Sequence, residues 1–252
     1  SGTVAVAIYA VAANFNTMYL NFSTAISGVL LPRVSKMEAN NATDEEFTDI
    51  FIKTGRLQYI VMGLIITGFV IFGKQFIETL YGMEYSNAYY MACILMIPVT
   101  VPLIQNVGLS ILQAKNKYKY RTMIFFAIAI ANIGISIPLA KQFGGIGSAI
   151  GTSLALVIGQ IIIMNIYYHK KIHINMIEFW KEIIKMSVSV LITFLLGFGA
   201  YRAINTENII IYGLEIIIYT LVYATLMWNF AMNDYEKNII RKPINKILHK
   251  GE

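Results

Sequence analysis

Four side chains near the amino end share both type and spacing. Asn14, Thr17, Asn21 and Thr24 recur at steps of three and four inside an apolar run, so on a helix they form one polar stripe. Gln105 and Asn106 follow Pro98 and Pro102 in a second apolar run, and Asn132 sits in the middle of a third. Amides and hydroxyls donate and accept hydrogen bonds; they are poor proton-transfer groups and poor nucleophiles. In hydrocarbon they are costly unless partnered. Two readings stay open for them: glue between packed helices, or one wall of a water-filled cavity.

The elements that must carry these groups are long. Gln142 to Tyr168 holds 27 residues without a charge, where about 20 suffice to cross the hydrocarbon core of a bilayer. Gly144-Gly145-Ile146-Gly147 joins this run to the apolar run before it. Basic clusters bound the pair: Lys115, Lys117, Lys119 and Arg121 on one side, Lys170 and Lys171 on the other. This pattern predicts a transmembrane hairpin with both feet on one face. Across the chain 57% of residues are apolar and 13% charged, about half the charge of an ordinary soluble domain. The expected fold class is therefore all-α, a polytopic membrane protein of about seven transmembrane helices.

Spans are expected at about 4–31, 54–73, 88–114, 122–140, 146–168, 186–201 and 208–231, with a basic tail over 232–252. Seven crossings put the loops on alternate sides. One side then carries 17 of the 20 Lys and Arg; the other holds only Lys74, Lys141 and Arg202. Excess Lys and Arg marks the cytoplasmic face, so residue 1 is expected outside and the tail inside. The net charge of +6 belongs to this partition and does not call for nucleic acid as a partner.

Between the spans the sequence is less eventful. Thr43 is a plausible N-cap with Glu46 at the reciprocal position, opening a short surface helix. Tyr81, Tyr85, Tyr89 and Tyr90 suit the headgroup level. Pro98 and Pro102 each free a carbonyl and predict a kink. Residues 174–186 alternate apolar and charged groups and read as an interfacial segment before the chain re-enters the bilayer. Glu215 sits near the start of its span, either at the interface or facing protein. Gly147 and Gly151 form a small-xxx-small pair that lets helices approach closely.

Chemistry of bond making finds no support. The single cysteine, Cys93, lies in an apolar run, and the three histidines, His169, His173 and His249, have no ligand-spaced partners. There is no glycine-rich phosphate loop, no paired-carboxylate arrangement and no His-Glu-x-x-His spacing. No catalytic residue, metal site or cofactor is expected. A transporter lobe outranks an enzyme.

Three stretches carry a family resemblance. The first is Val6-Ala7-Ile8-Tyr9-Ala10-Val11-Ala12, followed by Ile26-Ser27-Gly28-Val29-Leu30-Leu31-Pro32-Arg33-Val34-Ser35. The second is Leu80-Tyr81-Gly82-Met83-Glu84-Tyr85-Ser86-Asn87-Ala88, which leads through a long span to Ser110-Ile111-Leu112-Gln113-Ala114-Lys115-Asn116-Lys117. The third runs from Ile137-Pro138-Leu139 through Gly144-Gly145-Ile146-Gly147 to Gly151-Thr152. Together they span about residues 6–152, and the chain resembles the C-terminal portion of a polysaccharide flippase. The superfamily includes the lipid II flippases and the MATE exporters.

That resemblance implies two lobes around a central cavity, with this chain matching helices eight to fourteen of a 14-helix member. The first lobe would be missing, and the chain would be a fragment. It also implies transport of undecaprenyl-linked oligosaccharide across the plasma membrane by alternating access, in cell-surface polysaccharide export. The partners would be the lipid-linked glycan, bilayer lipids and the missing N-terminal lobe. Asn14, Thr17, Asn21, Thr24, Gln105, Asn106 and Asn132 are the expected cavity-lining groups, with Arg33 at the cytoplasmic mouth. The alternatives are a MATE-type or lipid exporter with another cargo, and a non-transporting membrane assembly subunit.

Overall fold

The computed structural model describes residues 2–27, 31–204, 206 and 208–248. The boundary of the first expected span at 28–30, part of the first resemblance motif, and His249 and Lys250 of the tail lie outside the described residues. Side chains are likewise described only up to Arg241 in the tail. No strand occurs among the described residues, and six helical stretches are long and apolar enough to cross a membrane. The protein is an all-α polytopic membrane protein.

The chain divides into two compact units, Ser1–Trp180 and Lys181–Glu252. The first begins with α1 (Gly2–Ser27) and the short α2 (Leu31–Ala39). It continues with α3 (Asp44–Tyr81), a 3₁₀ turn at Met83–Tyr85, α4 (Ser86–Ile104) and α5 (Val107–Ala114). Then come α6 (Tyr118–Leu156), a π-type stretch at Val157–Ile163 and α7 (Met164–Lys171). α1 and α3 both pack on α4, α2 packs on α5, and α4 packs on α6.

α3 opens where the sequence predicts. Thr43 Oγ1 accepts from the Glu46 amide at 3.2 Å, and Glu46 Oε2 accepts from the Thr43 amide at 2.8 Å. The helix that starts there is not a short surface piece. It runs unbroken for 38 residues, because nothing between Asp49 and Thr54 frees a backbone carbonyl or supplies a turn. At about 1.5 Å per residue it is about 57 Å long, well beyond the roughly 30 Å hydrocarbon core.

Residues 118–171 would measure about 81 Å as one straight helix, which no bilayer accommodates. Instead the chain breaks at Gly144, with φ 60° and ψ −139°, a conformation essentially restricted to glycine. The two arms then run antiparallel. A Cβ on Gly147 would strike the Leu139 carbonyl, one on Gly151 would strike Ser136, and one on Gly159 would strike Ile128. At the far end the Tyr120 and Tyr167 rings are 5.6 Å apart, and Lys117 Nζ donates to the Lys171 carbonyl at 3.1 Å. The glycines face the opposite arm, so the hairpin closes by backbone approach.

Near the feet of this hairpin an aromatic cluster holds the elements together. Phe51 of α3 packs edge-on against Tyr168 at 5.5 Å and against Phe179 at 5.0 Å. Phe47, Phe51 and Phe179 are fully buried. Gly55 lies so close to Phe179 and the Ile104 carbonyl that a side chain there has no room.

The second unit holds most of α8 (Met176–Ile204), then α9 (Ile209–Leu226), a π turn at Met227–Ala231 and α10 (Asp234–Leu248). The expected interfacial segment is continuous with the span that follows it inside α8. Asn208 caps α9 through its side-chain oxygen, which accepts from the Ile210 amide at 2.9 Å. Asn233 and Glu236 cap α10 reciprocally at 2.9 and 3.0 Å.

Candidate functional site

The α1 stripe points away from the packed side of its helix. Val11, Ala12, Tyr19 and Ser23 are buried, whereas Asn14, Thr17, Asn21 and Thr24 are exposed. Tyr19 Oη contacts Thr100 Oγ1 at 2.9 Å and donates to the Met62 carbonyl at 3.2 Å, which fixes the rotation of α1 against α3 and α4. The two threonines spend their hydroxyls on their own helix: Thr17 donates to the Ala13 carbonyl and Thr24 to the Asn21 carbonyl. Among the described residues no hydrogen bond engages the amides of Asn14 or Asn21. Met18 and Phe22 are exposed on the same side of α1. Among the described residues the two amides join no neighbouring helix, and the face that carries them is amphipathic.

Gln105 and Asn106 occupy the break between α4 and α5, where two residues leave the helix after Pro98 and Pro102. Gln105 is buried and pairs amide to amide with Asn165, at 3.1 and 3.2 Å. Trp180 Nε1 donates to the same Asn165 oxygen at 2.8 Å. Asn106 donates to Ser23 Oγ at 3.3 Å. Ser23 in turn donates to the Leu103 carbonyl at 2.9 Å and meets Gln58 Nε2 at 3.3 Å. One buried hydroxyl thus ties α1, α3 and the α4–α5 break together. The carbonyl that Pro98 releases, that of Ile94, is served from elsewhere: Ser153 Oγ of the hairpin donates to it.

Asn132 belongs to a different group. Its side-chain oxygen accepts from Ser136 Oγ one turn on, at 2.5 Å, and from Thr152 Oγ1 of the opposite hairpin arm, at 3.3 Å. It is engaged within the hairpin and makes no hydrogen bond to the α1 stripe. Arg33 is exposed in the first turn of α2. The sequence-derived set therefore separates into an open stripe on α1, a buried network at the helix break and a hairpin cluster.

Several polar groups escape a reading by sequence. Gln58, Gln160 and Arg56 are buried. Gln160 lies inside the 27-residue uncharged run Gln142–Tyr168. Arg121, a basic foot of the hairpin by sequence, lines a cleft with Gln160, Asn106 and Tyr168.

Comparison with known proteins assigns the family. Residues 2–221, from α1 into α9, match the model of the lipid II flippase MurJ. The chain belongs to the MurJ family. A curated relative is the probable low-salt glycan biosynthesis flippase Agl15 of Haloferax volcanii, 22% identical over 242 residues. The match covers 94% of this chain and 50% of the relative, so the chain spans about half the length of that protein. No solved structure matches. Membership in the MurJ family points to a transporter rather than a catalyst, and it agrees with a site built from neutral hydrogen-bonding groups.

Proposed function

We propose that this MurJ-family chain forms most of one lobe of a two-lobed flippase. The flippase moves undecaprenyl-linked oligosaccharide across the plasma membrane by alternating access, for cell-surface polysaccharide export. The observation that carries the reading is the stripe on α1. Asn14 and Asn21 present unengaged amides on a helix apolar enough to span a bilayer, on the side away from its packed core. Amides exposed to hydrocarbon are costly, so this face is best satisfied by water and a hydroxyl-rich cargo in a cavity closed by the other lobe. Met18 and Phe22 beside them suit a cargo that joins sugar to lipid. The distribution of Lys and Arg supports a cytoplasmic tail and an external residue 1.

The test is leaflet-resolved transport in liposomes, with a fluorescent lipid-linked oligosaccharide and a membrane-impermeant quencher. The double variant Asn14→Leu, Asn21→Leu is expected to lose transport at least about tenfold, while folded yield and thermal stability hold, because neither amide has an internal partner. Undiminished transport by that variant would remove the cavity role of α1.

A further inference from the structure

The last span does not run straight on into α10. The π turn ends at Ala231, and Met232 takes an extended conformation, with φ −77° and ψ 134°. Asn233 and Glu236 then cap a fresh helix. Its direction is new as well. In one straight helix Trp228 and Arg241 would lie about 20 Å apart along the axis, a gap that side chains projecting from a helix do not close. Instead the Arg241 guanidinium lies 5.3 Å from the centre of the Trp228 ring. α10 therefore bends off the axis of α9 and stays beside its end, at the level of an indole of the kind that marks a membrane interface.

α10 has two unlike faces. Tyr235, Ile239 and Ile240 follow helical spacing and are exposed, the isoleucines 43% each, and Phe230 just before the helix is 78% exposed. The same spacing continues in the sequence through Ile244, Ile247 and Leu248. From Lys237 to Leu248 the sequence holds four basic residues, Lys237, Arg241, Lys242 and Lys246, and no acid. At about 100° per residue, Lys237 and Arg241 fall at one edge of the apolar face, Lys242 and Lys246 at the other. The two acids, Asp234 and Glu236, sit in the first turn, and Glu236 is engaged in the cap.

An apolar face with basic borders fits a surface that is oily beneath and negative above. A second copy of the chain would set basic border against basic border. The bilayer is already at hand, at the end of the span to which α10 is joined. We infer that α10 docks on anionic phospholipid headgroups, with Tyr235, Ile239 and Ile240 at the acyl boundary and the lysines and Arg241 among the phosphates. The inference stands apart from the transport reading, since neither cargo nor a second lobe enters it.

The experiment places the full chain in lipid nanodiscs, of phosphatidylcholine alone or with phosphatidylglycerol as about a third of the lipid. In a Cys93→Ala background, Ile240→Cys or Asn238→Cys carries an environment-sensitive fluorophore. These two positions lie two residues apart and so face different ways. Quenching by doxyl-labelled lipid reads membrane contact, and quenching by acrylamide reads water. The label at 240 is expected to be quenched by doxyl lipid at least about threefold more with phosphatidylglycerol than without, and to lose that gain at about 0.5 M salt. The label at 238 should stay open to acrylamide in both discs. The set Lys237→Gln, Lys242→Gln, Lys246→Gln should abolish the gain, and the set Lys237→Arg, Lys242→Arg, Lys246→Arg should keep it. Both sets leave the Arg241–Trp228 stack in place, so the arginine set separates lost charge from lost folding.

Three results would overturn the inference. One is doxyl quenching at 240 that is equal in the two discs or survives the glutamine set. Another is equal access of acrylamide to both labels with phosphatidylglycerol present, which would leave α10 in water. The third is a label at 240 shielded from both quenchers, which would mean that protein, not lipid, covers the apolar face.

Discussion

Gly144 sets the strongest test of the fold, because its effect separates into one cause. Its φ of 60° with ψ of −139° is strained for any L side chain, and a Cβ built there meets nothing within 4 Å. Gly144→Ala therefore adds no collision, only the backbone cost, about 1–3 kcal/mol for a residue forced into so sparse a region. Gly134 is the matched control. It lies in the first arm of the same hairpin, also with nothing within 4 Å of a built Cβ, and its backbone is helical. Gly134→Ala is expected to stabilise by up to about 1 kcal/mol from helix propensity. The two changes add the same methyl group and differ by about 1–4 kcal/mol in sum. Differential scanning fluorimetry or fluorescence-detected gel filtration after heating, both in micelles, would read the pair. Gly144→Ala should melt several degrees below the parent and Gly134→Ala at or above it. Equal melting of the two alanine variants would mean that the chain does not turn at Gly144.

Other expectations follow from the packing. Gly151→Leu and Gly159→Leu should each destabilise by more than Gly144→Ala, since a Cβ at either site already collides with the opposite arm; heating assays check this. Ser23→Ala removes the hydroxyl that serves Leu103, Gln58 and Asn106, and should cost about 1–3 kcal/mol by the same assay. Single cysteines at positions 117 and 242, placed in a Cys93→Ala background, should react with an impermeant maleimide from the same side of the membrane. Labelling from opposite sides would refute the charge-derived topology.

Local signals were legible in the sequence where one residue type decides the outcome. The capping pair Thr43 and Glu46 forms as spaced, and the glycines of 144–151 close a hairpin as their sizes require. Pro98 and Pro102 announced a kink, but the helix breaks further on, at Gln105 and Asn106, whose side chains bond Asn165 and Ser23 on neighbouring elements. α3 hid its length: polar residues before Thr54 resemble a loop, yet polarity does not end a helix that has left the bilayer. The α1 stripe was visible as a periodicity, while its outward direction needed the burial of Tyr19 and Ser23 on the opposite side. The cleft around Gln160 was invisible, because its members come from three elements far apart in the chain.

The length of α3 has a mechanical corollary. About 27 Å of a 57 Å rod exceeds the thickness of the oily slab. Rocking this shaft by roughly 10° would sweep an overhang of roughly 20 Å through roughly 3.5 Å. Its capped tip carries Asp44, which reaches Lys115 at 3.2 Å, and Phe47, beneath the same ammonium at 4.3 Å. A swing of that size exceeds the reach of one ion pair, so tilting the shaft in the bilayer would unfasten the clasp in water.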